Sequence, residues 1–167
     1  GLERWSEALA NGRQALAITV ELQKADPANI EPQGSMLLDE QLVCRAQAHT
    51  SGRVPPECAA AVARAQALVE KQKGHAAARL YVAYAYSNLG GALQDTGQYA
   101  ASIKAFQQEL EIAEAVNRTN PTDQRTRALL AEAHAGLGKA ASMEGRWEGA
   151  FASYETAMAQ VRGGAGR

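Results

Sequence analysis

The sequence predicts an all-α protein, an α-solenoid built from antiparallel helix hairpins and containing about seven helices. Three observations carry this expectation. The residues around Tyr99 return 48 positions later around Trp147, with Leu89-Gly90 answering to Leu137-Gly138, Gly97 to Gly145, Tyr99 to Trp147, Ser102 to Ala150 and Phe106 to Tyr154. A unit recurring at a fixed period marks an array in which each unit covers its neighbour's apolar face. Between the landmarks lie Ala-rich, Pro-free segments with apolar residues at intervals of three and four, which favour helix over strand. The breaks fall at Asp26-Pro27, Thr96-Gly97, Asn120-Pro121 and Glu144-Gly145, where Pro cannot continue a helix and Gly accepts the left-handed cap.

Taken in order, the first helix covers residues 2–25. Trp5 precedes Pro27 by 22 residues, as Tyr99 precedes Pro121, so this helix is the second half of a unit. Helices over 35–50 and 55–73 form a degenerate copy, with Gly52-x-Val54 standing for Gly97-x-Tyr99 and Gly74-His75 for the Asn-Pro turn. Its Arg53-Val54-Pro55-Pro56 stretch leaves the register open by one or two residues. Two full copies follow, with helices over 76–95 and 99–118, then 122–144 and 147–162. The expected organisation is one array over 1–162, made of a half repeat (1–30), the degenerate repeat (31–75) and two repeats (76–121 and 122–162), with a flexible tail at 163–167.

Small residues at Gly90, Gly138, Ser102 and Ala150 let the two helices of a unit approach closely. Leu89, Leu137, Phe106 and Tyr154 fill the flanks, and Tyr99 and Trp147 anchor the second helix. All of these read as packing residues. The set Tyr86, Leu89, Gly90, Leu93, Gly97, Tyr99, Ser102 and Phe106, repeated as His134, Leu137, Gly138, Ala141, Gly145, Trp147, Ala150 and Tyr154, resembles the tetratricopeptide repeat. The match covers residues 84–160 and weakens upstream. It departs from the usual 34-residue period, and 14 extra residues would add about 21 Å of helix shared between two elements. The resemblance implies a right-handed superhelix. By analogy with long-helix variants carrying an Asp-Pro-Ala-Asn turn, it also implies a place within a larger bacterial signalling protein.

Composition excludes several functions. The net charge of −1, from 17 basic and 18 acidic residues, gives no clustered Lys and Arg for phosphates, so nucleic acid is not expected as a partner. No run of 18 apolar residues is available to span a membrane. The chain shows no secretory leader, and a cytoplasmic location is favoured over a periplasmic one. Cys44 and Cys58 read first as two separate packed thiols, with a bridge across the Gly52 turn as the alternative. With His49 they lack the paired spacing of a metal site, and no cofactor is expected. Gly136-Leu137-Gly138-Lys139 fails as a phosphate loop, since Ala133-His134 stands where a further Gly is needed and Ala140 replaces the magnesium-binding hydroxyl. No nucleophile elbow occurs either, so an enzyme is not expected.

What remains is recognition of a protein. The resemblance implies that the first helices of successive units line a concave groove for a peptide or helix of a partner. The residues expected to face it are Tyr84, Asn88, Gly91 and Asp95 in one unit, Glu132, Ala135, Lys139 and Ser142 in the next, and Gln41, Arg45 and His49 upstream. Tyr84 is the expected hot spot, because Tyr86 alone of Tyr81, Tyr84 and Tyr86 belongs to the repeat pattern. A clamp for a terminal carboxylate, known in this family, is not expected, since Glu132 and Gly136 stand where basic residues are needed. The alternative is a structural or oligomerising spacer that positions an attached signalling domain. Apolar residues at both ends, Trp5, Leu9, Phe151 and Met158, are expected to lie uncovered and to promote self-association.

Overall fold

Alanine-rich segments bounded by Gly and Pro fold as helices here, and the computed structural model, which describes residues 2–164, consists of seven. They are α1 (Leu2–Ala25), α2 (Ile30–Ser51), α3 (Pro56–Lys71), α4 (Ala76–Asp95), α5 (Tyr99–Thr119), α6 (Gln124–Met143) and α7 (Trp147–Gly164). Both halves of the repeat are visible in the starts of these helices: α6 and α7 begin 48 residues after α4 and α5. Residues 165–167 of the expected tail lie outside the described residues, and α7 runs through Gly164.

The caps explain the boundaries. Asn29 accepts a hydrogen bond from the Glu31 amide at 3.0 Å and Asp123 accepts one from the Arg125 amide at 2.8 Å, each satisfying a first-turn donor. The first of these corrects the expected start of α2 from 35 to Ile30, since Pro32 falls in the first turn, where its missing N–H has no partner to lose. Gly97 and Gly145 adopt φ of +77° and +75°, which turns the chain so that the Gln98 and Arg146 amides reach back to the Leu93 and Ala141 carbonyls at 2.8 and 2.9 Å.

The helices pack as successive antiparallel hairpins, and the first helices α2, α4 and α6 also pack on one another in turn. The backbones of the second helices α3, α5 and α7 do not approach one another closely. A layer whose members touch spans a shorter arc than one whose members are spread, so the array curves with α2, α4 and α6 on its inner face. Two apolar clusters hold it together. Leu37, Val62, Leu68 and Val82 join α2, α3 and α4, while Leu80, Val116, Leu129 and Leu130 join α4, α5 and α6.

Phe106 shows why the small residues matter. Its ring sits between two helices, where a methyl on Gly90 of α4 would meet it at 2.9 Å and one on Gly136 of α6 at 2.5 Å. Gly138 does the same more loosely for Tyr154 of α7. The sequence pattern marks Gly90 and Gly138 but misses Gly136, because a contact between units, unlike one within a unit, leaves no landmark at the repeat spacing.

Three expectations are corrected. Cys44 and Cys58 are bonded to each other, not separate thiols: the Gly52 turn brings their Cα atoms to 5.2 Å, and both are fully buried against Ala48 and Ala92. Trp147 is 62 % exposed rather than packed, because no helix among the described residues lies beyond α7. At the other end Trp5 and Leu9 are half-buried against α2, and the Trp5 ring stacks on His49 at 3.7 Å between centroids, so the exposed apolar residues of α1 are instead Ile18 and Leu22.

Candidate partner-binding groove

The inner face draws one stripe from each of α2, α4 and α6. Near its middle, the Asn88 amide of α4 donates to the Gln41 side chain of α2 at 3.2 Å and to the Tyr84 carbonyl at 2.9 Å, while Gln41 donates to the Tyr81 carbonyl at 3.4 Å. Gln41 is itself buried, so these bonds satisfy an amide that would otherwise cost several kcal/mol to bury. Asn88 therefore both ties α4 to α2 and leaves a half-exposed amide on the groove.

At one end of the stripe Asp95, with its side chain 9 % exposed, gathers the nitrogen-bearing side chains of Arg45, His49 and Lys139. His49 Nε2 lies 2.6 Å from Oδ2, Arg45 Nε 3.6 Å from Oδ2, and Lys139 Nζ 3.9 Å from Oδ1. These are charge contacts rather than aligned hydrogen bonds, since Asp95 Oδ2 and Arg45 Nε each lack a well-aligned partner. The cluster spans all three inner helices. Arg45 also lies flat over Gly91, where a methyl would sit 3.1 Å from the guanidinium, so Gly91 is covered instead of facing the groove. Nearby, Gln94 donates to the Gly136 carbonyl at 2.6 Å, closing α4 onto α6.

The other end is more open. The three tyrosines of α4 part company: Tyr81 lies over Gly34 of α2, the Tyr86 hydroxyl accepts a bond from Gln66 of α3 at 3.1 Å, and Tyr84 stays half-exposed. Packing thus occupies two of them, where the repeat pattern assigns only Tyr86. Burial raises the Tyr84 phenol above its ordinary pKa, with Arg125 opposing and Glu132, Asp123 and Glu109 adding to the rise. Glu132 is exposed on α6, Ala135 is half-buried beside it, and Ser142 turns its hydroxyl onto the Lys139 carbonyl at 2.7 Å.

One residue that the sequence reading passes over lies under this open end. Glu109 of α5 is 0 % exposed, and neither carboxyl oxygen has a well-formed hydrogen bond. Burial, then the negative charge of Glu132, pushes its pKa up to about 9, against a smaller opposing pull from the facing Ser87 hydroxyl. The acid is neutral at physiological pH. In the sequence it was indistinguishable from the solvated Glu111 and Glu114 of the same helix.

Among the described residues no group of three or more His, Cys, Asp or Glu is placed to hold a metal ion, and no helix is long and apolar enough to cross a membrane. The fold is that of a helical-repeat array. Residues 82–120, which are most of α4 and all of α5, match the family model described as tetratricopeptide repeat, and the all-helical array of hairpins around them is consistent with a fold of that kind. No curated protein and no solved structure matches the chain.

Proposed function

We propose that the inner face of α2, α4 and α6 binds an extended segment or helix of a partner protein, with Tyr84, Asn88, Glu132, Lys139, Arg45 and the Asp95 cluster as its contact set. The observation that supports this most is the convergence of these side chains from three helices onto one continuous concave stripe. Tyr84 supplies a rigid, half-exposed aromatic beside polar groups that fix register, which is the composition of an interface hot spot. Asp95 acts chiefly as a clamp holding the three helices in curvature. The chain performs no catalysis of its own and takes no nucleic acid in this reading, its charges being mixed along every face. The buried Cys44–Cys58 bridge favours an oxidising compartment, such as the periplasm, over the cytoplasm. Cross-linking the partner from groove positions and from outer-face positions of the intact domain tests the reading.

A second reading, an oligomerising spacer in a larger protein, rests on α7. Trp147, Phe151, Met158 and Val161 leave an apolar stripe exposed, with Phe151 at 70 %. One unit earlier, Leu110 and Ala113 of α5, at the positions of Met158 and Val161, pack with Leu129 and Leu130 of α6.

A further inference from the structure

The end of the array carries a trough of about 640 Å³ between α6 and α7, floored by Ala131 and Ala135 of α6 and walled by Tyr154, Ala157, Met158 and Val161 of α7. One repeat earlier, Ala131, Tyr154, Met158 and Val161 become Ala83, Phe106, Leu110 and Ala113. There the same surface is occupied. Ala83, Leu110 and Ala113 pack with Leu129 and Leu130 of α6, and the Phe106 ring lies against Gly136 of α6.

Tyr154 repeats the setting of Phe106 on one side only. A methyl on Gly138 would meet its ring at 3.0 Å, as one on Gly90 would meet Phe106 at 2.9 Å. The side that Gly136 covers on Phe106 has no cover on Tyr154, and the exposures follow: 4 % for Phe106 and 38 % for Tyr154. The chain thus shows what shape fills such a trough. Leu129 and Leu130 wedge against the alanines, while Ala133 and Gly136 pass close to the ring, where larger side chains have no room.

A second copy has no free helix of this shape. Its α2, α4 and α6 are committed to neighbours within their own copy. The exposed faces of α1 and α7 carry Leu22 four residues after Ile18 and Met158 seven after Phe151, where α6 carries Ala133 and Gly136 at the same distances from Leu129. Trp147 and Phe151 themselves do not line the trough.

We propose that the trough between α6 and α7 is a docking site for one helix of a partner protein with the chemistry of α6: two adjacent large aliphatic residues, then a glycine six residues after the second, seated over the Tyr154 ring. Covering the exposed Met158 and Val161 supplies the driving force. The site is distinct from the inner stripe and does not rest on the groove reading. Tyr84, one repeat before Glu132 at the trough's edge, stays half-exposed with α6 seated beside it, so both surfaces can be filled together.

The test adds a fluorescein-labelled peptide of residues 121–146, which carries α6 with its flanking turns, to the whole domain and follows anisotropy. The expected result is saturable binding that weakens roughly tenfold or more when the peptide carries Gly136→Leu. Val161→Glu in the domain, at a position 67 % exposed, should weaken it to a similar degree without loss of helicity. Because the peptide can also displace α6 itself, ¹⁵N amide shifts locate it: they are expected at Tyr154, Ala157 and Met158 and not at Leu110 or Ala113. Absent binding, equal affinity for the Gly136→Leu peptide, or shifts at Leu110 and Ala113 instead overturns the proposal. So does a trough whose Met158 and Val161 amides shift with the domain's own concentration but not with peptide, which would give the face to a second copy.

Discussion

At the scale of single residues, the structure separates glycines that look alike in sequence. A Gly→Ala change inside a helix gains about 1 kcal/mol of intrinsic propensity, which must be set against whatever the new methyl meets. At Gly136 it meets three ring atoms of Phe106 within 2.6 Å, and that ring is 4 % exposed and already confined by Gly90. Gly136→Ala should therefore lower stability by about 1–3 kcal/mol net. Gly138→Ala meets only the partly exposed Tyr154, which can swing outward, and should be neutral or slightly stabilising. Thermal melts of the two variants check the ordering. Glu109 gives a second residue-scale prediction. Its folded pKa of about 9 lies above the ordinary 4.5, so folding takes up a proton throughout that interval. The stability it contributes is fully present below the lower value and is lost as pH rises toward 9. Glu109→Gln should flatten this decline and raise stability near neutral pH by roughly 1–3 kcal/mol. Urea denaturation of both proteins at mildly acidic and mildly alkaline pH measures it, and parallel slopes would contradict the assignment.

At the scale of elements, all seven helices were legible in the sequence because their breaks are marked by residues with only local requirements. Gly97 and Gly145 need a positive φ, and Pro27 and Pro121 interrupt the chain, so turn chemistry locates most ends, while the Asn29 cap went unread and α2 was expected to begin at 35 and not at Ile30. What was not legible depends on which helix faces which. The α2–α3 hairpin is the clearest case. It lacks the aromatic of its sisters, carrying Val54 for Tyr99 and Val62 for Phe106, and the register of its turn was open by just the one or two residues that decide whether two cysteines meet. A loop with a sequence separation of 14 loses about 3 kcal/mol of unfolded-state entropy when closed, so Cys44→Ala/Cys58→Ala should cost about 2–4 kcal/mol. Calorimetry of the double variant, with a thiol assay finding no free cysteine in the unfolded wild type, checks both parts.

At the scale of the whole molecule, curvature follows from inner helices whose backbones approach closely and outer helices whose backbones do not, and the Asp95 cluster pins that curvature across α2, α4 and α6. The candidate groove was partly legible because the repeat period carries Asn88, Lys139 and Glu132 to the same side. Gly91 under Arg45 and Glu109 under the floor were hidden, being set by contacts between units. The exposed α7 stripe belongs to this scale too. If it pairs with a second copy, sedimentation should show concentration-dependent association that Phe151→Glu abolishes without loss of helicity, and a monomer at all concentrations would remove the oligomerising reading.

The central claim, that the inner face is where a partner protein docks, is tested most directly by placing a photo-reactive amino acid at single sites of the intact domain. Asn88, Glu132 and Lys139 report on the groove, while Arg79, Gln108 and Glu111 report on the outer face between α4 and α5. The same partner polypeptide should be captured from all three groove sites and from none of the outer ones, and Tyr84→Ala should weaken that capture by at least about 1 kcal/mol in competition. Capture from Arg79, Gln108 and Glu111 with silence at Asn88, Glu132 and Lys139 would contradict the account.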